Sequence, residues 1–373
     1  MSQRKLTIIA KPTHSCNLKC KYCYLEGSAE KGNLSERLLA QSIERVSDFA
    51  ENSHWIWHGG EPLLMGVDFY KTVKDIQDHY RKKGRRFSNG IQSNGTLINR
   101  ELTDFLSETK DFHLGISLDG PREIHDQTRI YPNGTGSFDG VMKGYELLRN
   151  NKVGGGAICV VNSKNIESPK ELYHFFKSKK INIKFNPLIK SGRAKENLID
   201  LGITPSQYGN FLLQLWEIYN QDVEREGKVS IDIDPFMEVI GNLWTNVPLG
   251  CNYSVSCRGN FISIGPQGDI YPCGRFDGVK EFWMGNIREN SIEEAMTSEV
   301  NKRLTQRKLE NVAGCSKCDF GQVCNSGCMH NAYCNGNIFG KDPYCTSYKQ
   351  LFKRMKEVLD LEPELKGGVN QDG

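Results

Sequence analysis

Six short apolar runs, separated by longer amphipathic segments, occupy the chain between residues 5 and 190. They are LTIIA (6–10), HWIWHG (54–59), RFSNGIQSN (86–94), FHLGISLDG (112–120), GGAICVVN (155–162) and INIKFNPLI (181–189). Such alternation is typical of strand and helix units built around a parallel sheet. Six units are fewer than the eight of a closed barrel. The sequence therefore predicts an α/β fold with a partial (β/α)6 TIM-type barrel, followed by a small Cys-rich domain.

Polar or glycine-bearing motifs follow the first four of these runs. A three-cysteine stretch follows the first run, GGEP (59–62) the second, SNGT (93–96) the third and SLDG (117–120) the fourth. In barrels of this type, the loops after the carboxyl ends of the strands carry the chemistry. We therefore expect these four motifs to meet at one edge of the sheet.

The sequence predicts three regions along the chain. Residues 1–235 form the barrel core, including a linker helix at about 204–226, whose apolar stripe we interpret as core packing. Residues 236–350 form the Cys-rich domain, which begins with a hairpin in GNFISIGPQGDIYPC and has little apolar content of its own. Residues 351–373 form a terminal helix and a frayed tail.

Charge and hydropathy argue against a protein that binds nucleic acid or a membrane. The net charge is +3, from 48 basic and 45 acidic residues, so no strong field favours nucleic acid or an anionic membrane. There is no export signal and no apolar stretch of spanning length, so we expect a cytoplasmic protein without a membrane partner. In a reducing compartment, the thirteen cysteines are better explained by metal binding than by disulfides.

Cys16, Cys20 and Cys23 lie within eight residues, in the stretch THSCNLKCKYCYLEG. A tetrahedral zinc site or a fully ligated four-iron cluster needs four ligands, so three thiolates predict a metal centre that is open on one side. A ligand with an adjacent amine and carboxylate could chelate the open iron. The alternative is a zinc site completed by His14 or by a distant residue.

The motif CNLKCKYCY, with GGEP after the next predicted strand, resembles the radical S-adenosylmethionine superfamily. The resemblance implies that Cys16, Cys20 and Cys23 hold three irons of a four-iron cluster, and that S-adenosylmethionine chelates the fourth. One electron from the cluster then breaks a carbon-sulfur bond. The products are methionine and a 5′-deoxyadenosyl radical, which abstracts a hydrogen atom from an unactivated carbon.

The same resemblance implies the residues that bind the cofactor. Gly59, Gly60, Glu61 and Pro62 would hold the methionine amino group, since glycines allow close approach and a carboxylate pairs with an ammonium. Tyr22 would lie near adenine. The candidates for ribose and carboxylate contacts are Asn94, Ser117 and Arg129. For Asn94 and Ser117, turn chemistry after a strand is the alternative interpretation.

The later cysteines, in CNYSVSC, YPCGRF, CSKCDFGQVCNSGCMHNAYC and PYCTSY, resemble the SPASM extension of enzymes that modify peptides and proteins. The resemblance implies two auxiliary four-iron clusters, and so three 4Fe-4S clusters in all. The first would be held by Cys251, Cys257, Cys273 and Cys328, and the second by Cys315, Cys318, Cys324 and Cys345. A zinc ribbon is the alternative. Cys334 and Cys159 are not needed, and we expect Cys159 to be a small buried hydrophobe.

Chain length and layout resemble anaerobic sulfatase-maturating enzymes, which oxidise Cys or Ser to formylglycine. That family places an aspartate base directly after the third cysteine of the first auxiliary cluster, where this chain has Gly274, and it tends to carry Gln where this chain has His58. Asp277 and His58 are the candidate catalytic residues that remain. HGGEPL and YPCGRF also resemble maturases that cross-link ribosomally made peptides, which we favour, with formylglycine formation as the alternative.

The expected partners are a peptide or protein substrate and an electron donor such as flavodoxin or ferredoxin. A further alternative is a non-catalytic electron-transfer protein with several iron-sulfur centres. The strand and helix units and GGEP argue against that alternative, because an electron carrier needs no nucleoside pocket.

Overall fold

The computed structural model describes residues 4–25, 32–253, 257 and 259–361. Its strands are β1 (Lys5–Thr13), β2 (Asn52–Gly59), β3 (Arg86–Ser93), β4 (Phe112–Ser117), β5 (Ala157–Val161), β6 (Ile183–Pro187), β7 (Ile233–Asp234), β8 (Phe261–Ile264), β9 (Asp269–Tyr271) and β10 (Gly285–Asn286). The six predicted strands correspond to β1 to β6, and the predicted hairpin corresponds to β8 and β9. The expectation of an α/β fold is confirmed.

At least one helix follows each of the first six strands, and further helices follow β7 and β10. They are α1 (Glu36–Phe49), α2 (Val67–Arg81), α3 (Arg100–Thr109), α4 (Arg122–His125), α5 (Phe138–Asn150), α6 (Pro169–Lys179), α7 (Arg193–Glu196), α8 (Leu198–Leu201), α9 (Pro205–Glu226), α10 (Phe236–Thr245), α11 (Ile292–Met296), α12 (Glu299–Thr305), α13 (Gly321–Cys324), α14 (Met329–Cys334) and α15 (Cys345–Leu361). The linker and terminal helices predicted from the sequence are α9 and α15. The frayed tail predicted after them lies outside the described residues.

The chain divides into two compact units that do not follow its linear order. The first unit contains residues 1–158, 191–197 and 256–306, and the second contains residues 159–190, 198–255 and 307–373. The boundary falls inside β5. The division into regions at residues 235 and 350 remains a prediction.

The first unit is a sheet in the strand order β10-β9-β8-β1-β2-β3-β4, followed by the start of β5. Neighbouring strands from β8 to β5 are parallel, whereas β8, β9 and β10 pair antiparallel. In β2, burial alternates along the strand, with Trp55 and Trp57 almost fully buried on one face. Parallel pairing brings the carboxyl ends of β1 to β4 to one edge of the sheet.

Local signals in the sequence explain where the helices begin. The Ser35 side chain accepts a hydrogen bond from the Leu38 backbone N–H and caps α1, as its position before the apolar run suggests. Thr204 and Gln207 form a reciprocal capping box at the start of α9, and Gly227 ends that helix in the left-handed region.

In the second unit, the end of β5 is followed by β6 and β7, and β6 pairs parallel with β7. The apolar stripe of α9 is buried, which confirms its interpretation as core. Its members are Phe211, Leu212, Leu215, Trp216 and Tyr219. In the part of the chain that the structure describes, no helix is long and apolar enough to cross a membrane.

Candidate active site

The loops after β1, β2 and β3 join at one edge of the sheet, as the spacing of their motifs predicts. Glu61 is fully buried, and its carboxylate accepts hydrogen bonds from the Ser93 hydroxyl (2.8 Å) and from the backbone N–H groups of Asn94 (2.7 Å) and Leu63 (3.0 Å). Burial raises the pKa of Glu61, and these hydrogen bonds oppose the rise. The Glu61 carboxylate therefore links the loops after β2 and β3. Its contact with the amino group of the cofactor's methionine moiety remains a prediction.

GGEP contacts the three-cysteine loop through its backbone. The Gly60 N–H donates to Thr13 O (3.0 Å) and the Glu61 N–H to Ser15 O (2.8 Å). Gly59 has a φ of 124°, and a Cβ placed at Gly60 would lie 2.0 Å from Ser15 O. Any larger residue at these two positions would force the loops apart, so both glycines are required by geometry. Pro62 begins a short 3₁₀ turn that follows.

The three-cysteine loop is held by backbone hydrogen bonds at both ends. The Lys19 and Lys21 N–H groups donate to Ile130 O (2.7 Å) and Thr128 O (2.9 Å), and the Arg193 N–H donates to Cys23 O (2.9 Å). Cys16 is exposed, whereas Cys20 and Cys23 are half-buried. Although Cys16 is exposed as a residue, desolvation of its thiol raises the pKa of that group to about 11, and a bound cation would reverse the shift by deprotonating the thiol.

A buried polar network lies beside this loop. Tyr22 donates a hydrogen bond to Asp119 and accepts one from Nη1 of Arg129 (2.7 Å), and Thr128 also donates to Asp119 (3.2 Å). The Nε of Arg129 is buried and has no hydrogen-bond partner among the described residues. Such an orphaned cationic donor fits an anionic group such as a carboxylate, because an unpaired buried donor is costly.

Asn94 and Ser117 lie at the same edge of the sheet. The Asn94 side-chain oxygen accepts from the Thr96 N–H (2.9 Å), which is the turn chemistry considered above, while its Nδ2 donates to Asn17 (2.8 Å). Ser117 accepts from Gln92 (3.3 Å). Asn94 thus links the loop after β3 to the three-cysteine loop, and the cofactor contacts of both residues remain predictions.

A second polar cluster contains Asp277, one of the two candidate catalytic residues, together with Lys11 and His14. The Nζ of Lys11 is buried and lies 3.0 Å from Asp277 Oδ2 and 2.6 Å from Gly274 O. The Nε2 of His14 lies 3.0 Å from the same carboxylate oxygen. Burial raises the pKa of Asp277, but the hydrogen bond from His14 and the charge of Lys11 outweigh it, so that the pKa is lowered. Asp277 is therefore an ionised carboxylate.

His58 lies near this cluster, with its ring edge-on to Tyr24 at 6.0 Å between centroids. The Gly59 N–H donates to Nδ1 of His58 (2.8 Å), and burial lowers the pKa of His58 to about 4. The ring is therefore neutral at pH 7. Because Nδ1 is the acceptor, the proton resides on Nε2, which is a hydrogen-bond donor.

The second auxiliary set lies entirely within the second unit. Its four cysteines, Cys315, Cys318, Cys324 and Cys345, line one cavity together with Phe320 and Phe352, whose rings stack at 5.5 Å. The hydroxyl of Ser326 lines the same cavity, is buried, and has no partner among the described residues. Four soft thiolates and an orphaned hydrogen-bond donor fit an iron-sulfur cluster.

In the described residues, no three Cys, His, Asp or Glu side chains are gathered around a single point as ligands of one metal ion. In a four-iron cluster each thiolate binds a different iron, so that its cysteines stand further apart than the ligands of one zinc ion. The four predicted ligands of the first auxiliary cluster belong to both units, with Cys257 and Cys273 in the first and Cys251 and Cys328 in the second. Their assignment remains a prediction.

The two remaining cysteines lie away from these sets. Cys159 is fully buried in β5, with the Asn165 amide 3.6 Å from its sulfur, in agreement with the expectation of a core residue. Cys334 lies one helical turn after His330 in α14, 3.6 Å from its Nε2.

Several site residues were not identified from the sequence. Lys11 and Asp119 lie beside or within predicted strands, and Arg193 lies between the last predicted strand (181–189) and the linker helix (about 204–226). For Asp119 the sequence does offer a signal, because this residue belongs to the SLDG motif after the fourth predicted strand. Arg193 carried no periodic signal, and its approach to the three-cysteine loop depends on a contact between distant parts of the chain.

Comparison with known proteins agrees with this geometry. Residues 10–176 match the family model of the radical SAM superfamily, and residues 256–319 match the SPASM model, an iron-sulfur cluster-binding domain. A serine-type anaerobic sulfatase-maturating enzyme of Bacteroides thetaiotaomicron is 32% identical, over 96% of this chain and 91% of that protein. A cysteine-type enzyme of Clostridium novyi is 30% identical, over 94% of this chain and 95% of that protein.

Solved structures resemble the chain over nearly its whole length. One described as native anSMEcpe with bound AdoMet has a TM-score of 0.86 at 26% identity, and covers 98% of this chain and 100% of its own. Another holds AdoMet and the Cp18Cys peptide, also with a TM-score of 0.86 at 26% identity, over 97% of this chain and 99% of its own. Streptococcus suis SuiB bound to its precursor peptide SuiA has a TM-score of 0.66 at 16% identity, over 91% of this chain and 75% of its own, which indicates a shared fold.

Proposed function

Since the chain belongs to the radical SAM superfamily, as a SPASM-bearing member related to the anaerobic sulfatase-maturating enzymes, we propose that it oxidatively modifies a residue of a peptide. The favoured reaction is a cross-link or cyclisation in a ribosomally made peptide. The observation that carries the proposal is the meeting of the three-cysteine loop, GGEP and the orphaned Nε of Arg129 at one edge of the sheet.

When bound, S-adenosylmethionine and its cluster supply a primary radical that abstracts a hydrogen atom from the substrate. Cys16, Cys20 and Cys23 would hold the cluster on a loop with fixed ends. Gly59 and Gly60 keep backbone close to the cofactor site, and the Arg129 guanidinium, oriented by Tyr22, would donate to a carboxylate. These groups would bind and orient the cofactor, and the buried network around Asp119 would exclude water from it.

We assign different roles to the two candidate catalytic residues. Asp277 is an ionised carboxylate held by Lys11 and His14, so it can accept a proton released when the substrate radical is oxidised. His58 is neutral, with its proton on Nε2, so it is suited to donate a hydrogen bond to a substrate carbonyl rather than to act as a base.

The surroundings of Gly274 favour cross-linking over formylglycine formation. Formylglycine formation requires deprotonation of a thiol or hydroxyl, for which the resemblance implies an aspartate at the position of Gly274. A Cβ at Gly274 would lie 2.6 Å from Cγ2 of Ile9, so a longer side chain has no room without a shift of Ile9. Oxidation at an unactivated carbon needs no such base before hydrogen abstraction.

Formylglycine formation is the second candidate. It is supported by the identity of 32% and 30%, over nearly the whole chain, to the serine-type and cysteine-type sulfatase-maturating enzymes. In that case Asp277, four residues after Cys273, would be the base.

Anaerobic reconstitution, followed by incubation with S-adenosylmethionine, dithionite and a candidate peptide, tests these alternatives. Cross-linking predicts 5′-deoxyadenosine together with a peptide that has lost two hydrogen atoms and does not react with a hydrazide. Formylglycine predicts a hydrazide-reactive aldehyde from a sulfatase-derived peptide. Binding of zinc in place of iron, or fewer than about four irons per chain, would contradict both candidates.

A further inference from the structure

The cavity of the second auxiliary set reaches the surface at two lysines. Lys341 and Lys349 line this cavity with Cys315, Cys318, Cys324 and Cys345. The same two lysines, with Cys345, also line an adjacent groove open to solvent. Both lysine side chains are exposed. A cluster held by these cysteines would therefore lie directly beneath a cationic part of the surface.

The positive charge continues along the terminal helix. α15 begins at Cys345, and Lys349, Lys353 and Lys356 follow at intervals of four and three residues, which places them on one helix face. All three are exposed, and in the described part of the chain neither they nor Lys341 form an ion pair. We call Lys341, Lys349, Lys353 and Lys356 the lysine surface.

The charges of the lysine surface act on the cavity. Lys341 and Lys349 line the cavity together with Cys315 and Cys345, so their positive charges lie beside these thiols. Two of the four lysines, Lys341 and Lys349, border the four-cysteine cavity, and the other two continue along α15. Cations arranged in this way steer and orient a negatively charged macromolecule.

We propose that the lysine surface docks an acidic one-electron carrier protein, of the flavodoxin or ferredoxin type, which exchanges electrons with the second auxiliary cluster. The proposal rests on membership of the SPASM-bearing family and not on the identity of the peptide substrate. With reduced flavodoxin, one electron leaves the anionic hydroquinone, which becomes the neutral semiquinone. The oxidised cluster gains that electron, and no proton moves.

A transient electron-transfer interface is small and is governed by charge. Such interfaces fall at the low end of the size range, and electrostatic steering raises association rates by about 10-fold to 1,000-fold at low salt. Reversal of two of the four charges should remove most of this gain. We therefore expect an association rate at least about 10-fold slower, with a weaker dependence on ionic strength.

The test uses the full reconstituted protein and a purified acidic flavodoxin, without any peptide. Stopped-flow absorbance follows oxidation of the flavodoxin hydroquinone at low and at high ionic strength. The variant is Lys341→Glu with Lys349→Glu. The matched control is Lys82→Glu with Lys83→Glu, which makes the same charge change at exposed positions after α2. Measurement of the iron content shows whether each protein carries its clusters. If the Lys341→Glu, Lys349→Glu variant does not take up its clusters, the Lys349→Gln, Lys353→Gln variant replaces it.

The proposal predicts a slower, less salt-dependent reaction for the lysine-surface variant alone. Reduction by methyl viologen radical, a small reductant that needs no docking, should be unchanged, as should 5′-deoxyadenosine formation with that reductant. Equal rates for wild type and variant would overturn the proposal, as would equal losses in the control. A variant that reacts normally with flavodoxin but binds an acidic peptide more weakly, in a separate binding titration, would overturn the proposal and show that the surface binds substrate instead. Failure of the wild type to form 5′-deoxyadenosine with the small reductant would count against the proposed function and not against docking.

Discussion

The three-cysteine loop of the first unit and the four-cysteine cavity of the second unit surround their thiols differently. The loop stands beside polar groups that still have capacity to bind, above all the orphaned Nε of Arg129. The cavity has four thiols, two stacked phenylalanine rings and the orphaned hydroxyls of Ser326 and Tyr348 among its lining residues, and it is bordered by lysines. The first arrangement is suited to hold a metal centre and also to bind a small molecule. The second is suited to enclose a metal centre without a free coordination position, so that a partner at the surface can interact with it only through charge.

Removal of a ligand from the loop should have the largest effect. We expect Cys20→Ala to lose about four of about twelve irons and all formation of 5′-deoxyadenosine, because two remaining thiolates cannot hold a cluster. Iron analysis and chromatography of the nucleoside products measure both. Cys159→Ala, which changes a buried cysteine outside both sets, is the control and should retain both.

Removal of a ligand from the cavity should have a different effect. Cys324→Ala should also lose about four irons, yet cleavage of S-adenosylmethionine with dithionite should persist while peptide product falls. Electron paramagnetic resonance and product analysis separate the two. If Cys324→Ala abolished cleavage as fully as Cys20→Ala in a protein that retains its other irons, the contrast between the two regions would be wrong.

The Lys11–Asp277 pair should contribute to stability as well as to activity. Asp277→Asn leaves the buried Lys11 ammonium without its partner, so we expect a loss of about 3–5 kcal/mol in the free energy of unfolding, measured by anaerobic denaturant titration. Adding Lys11→Met should recover most of that stability. Peptide modification should stay low in the double variant if Asp277 is the base, and full recovery of turnover would make its role structural.

The pH dependence of this pair follows from the lowered pKa of Asp277. Its folded-state value lies below the ordinary value of about 3.9, so the stabilisation is complete above about pH 4 and is lost as the pH falls through the folded value. Denaturant titrations of wild type and of the single Asp277→Asn variant should therefore converge at low pH. A constant gap between the two proteins across that range would contradict the assignment.

Substitution of Arg129 tests whether the region around the three-cysteine loop binds S-adenosylmethionine, without affecting the four-cysteine cavity. Arg129→Met removes a charge-assisted hydrogen bond of about 1.5–3 kcal/mol, so we expect S-adenosylmethionine to bind roughly 10-fold to 150-fold more weakly, as measured by anaerobic calorimetry. Arg129→Lys should recover part of the affinity through its charge. Unchanged affinity in Arg129→Met would mean that the orphaned Nε points to another ligand.

Ser326 should have the smallest effect. If its hydroxyl donates to the cluster of the cavity, Ser326→Ala removes a hydrogen bond of about 1 kcal/mol and shifts the midpoint potential of that cluster by about 40 mV to more negative values. A redox titration monitored by electron paramagnetic resonance measures the shift. Ser298→Ala, at the half-buried N-cap of α12, is the control and should leave the potential unchanged.

The sequence predicted what depends on local pattern. The strands and helices of the first half, the buried face of α9 and the meeting of GGEP with the three-cysteine loop follow from periodicity and from the rule that parallel strands end at one edge. Sequence alone did not reveal the partners of Asp277, because Lys11 lies 266 residues earlier in β1 and the contact depends on how β8 pairs beside β1. The packing of Arg193 against the three-cysteine loop was missed for the same reason, since a short helix in an aperiodic segment carries no local signal of its target.

The central claim is that the open position of the loop site binds S-adenosylmethionine. Electron nuclear double resonance on the reduced protein, with the cofactor labelled with ¹⁵N at its amino group and ¹⁷O at its carboxylate, tests it most directly. Hyperfine couplings from both labels should appear in the wild type and be absent in Cys20→Ala. A wild-type protein with its full complement of iron that shows coupling to neither label would contradict the account.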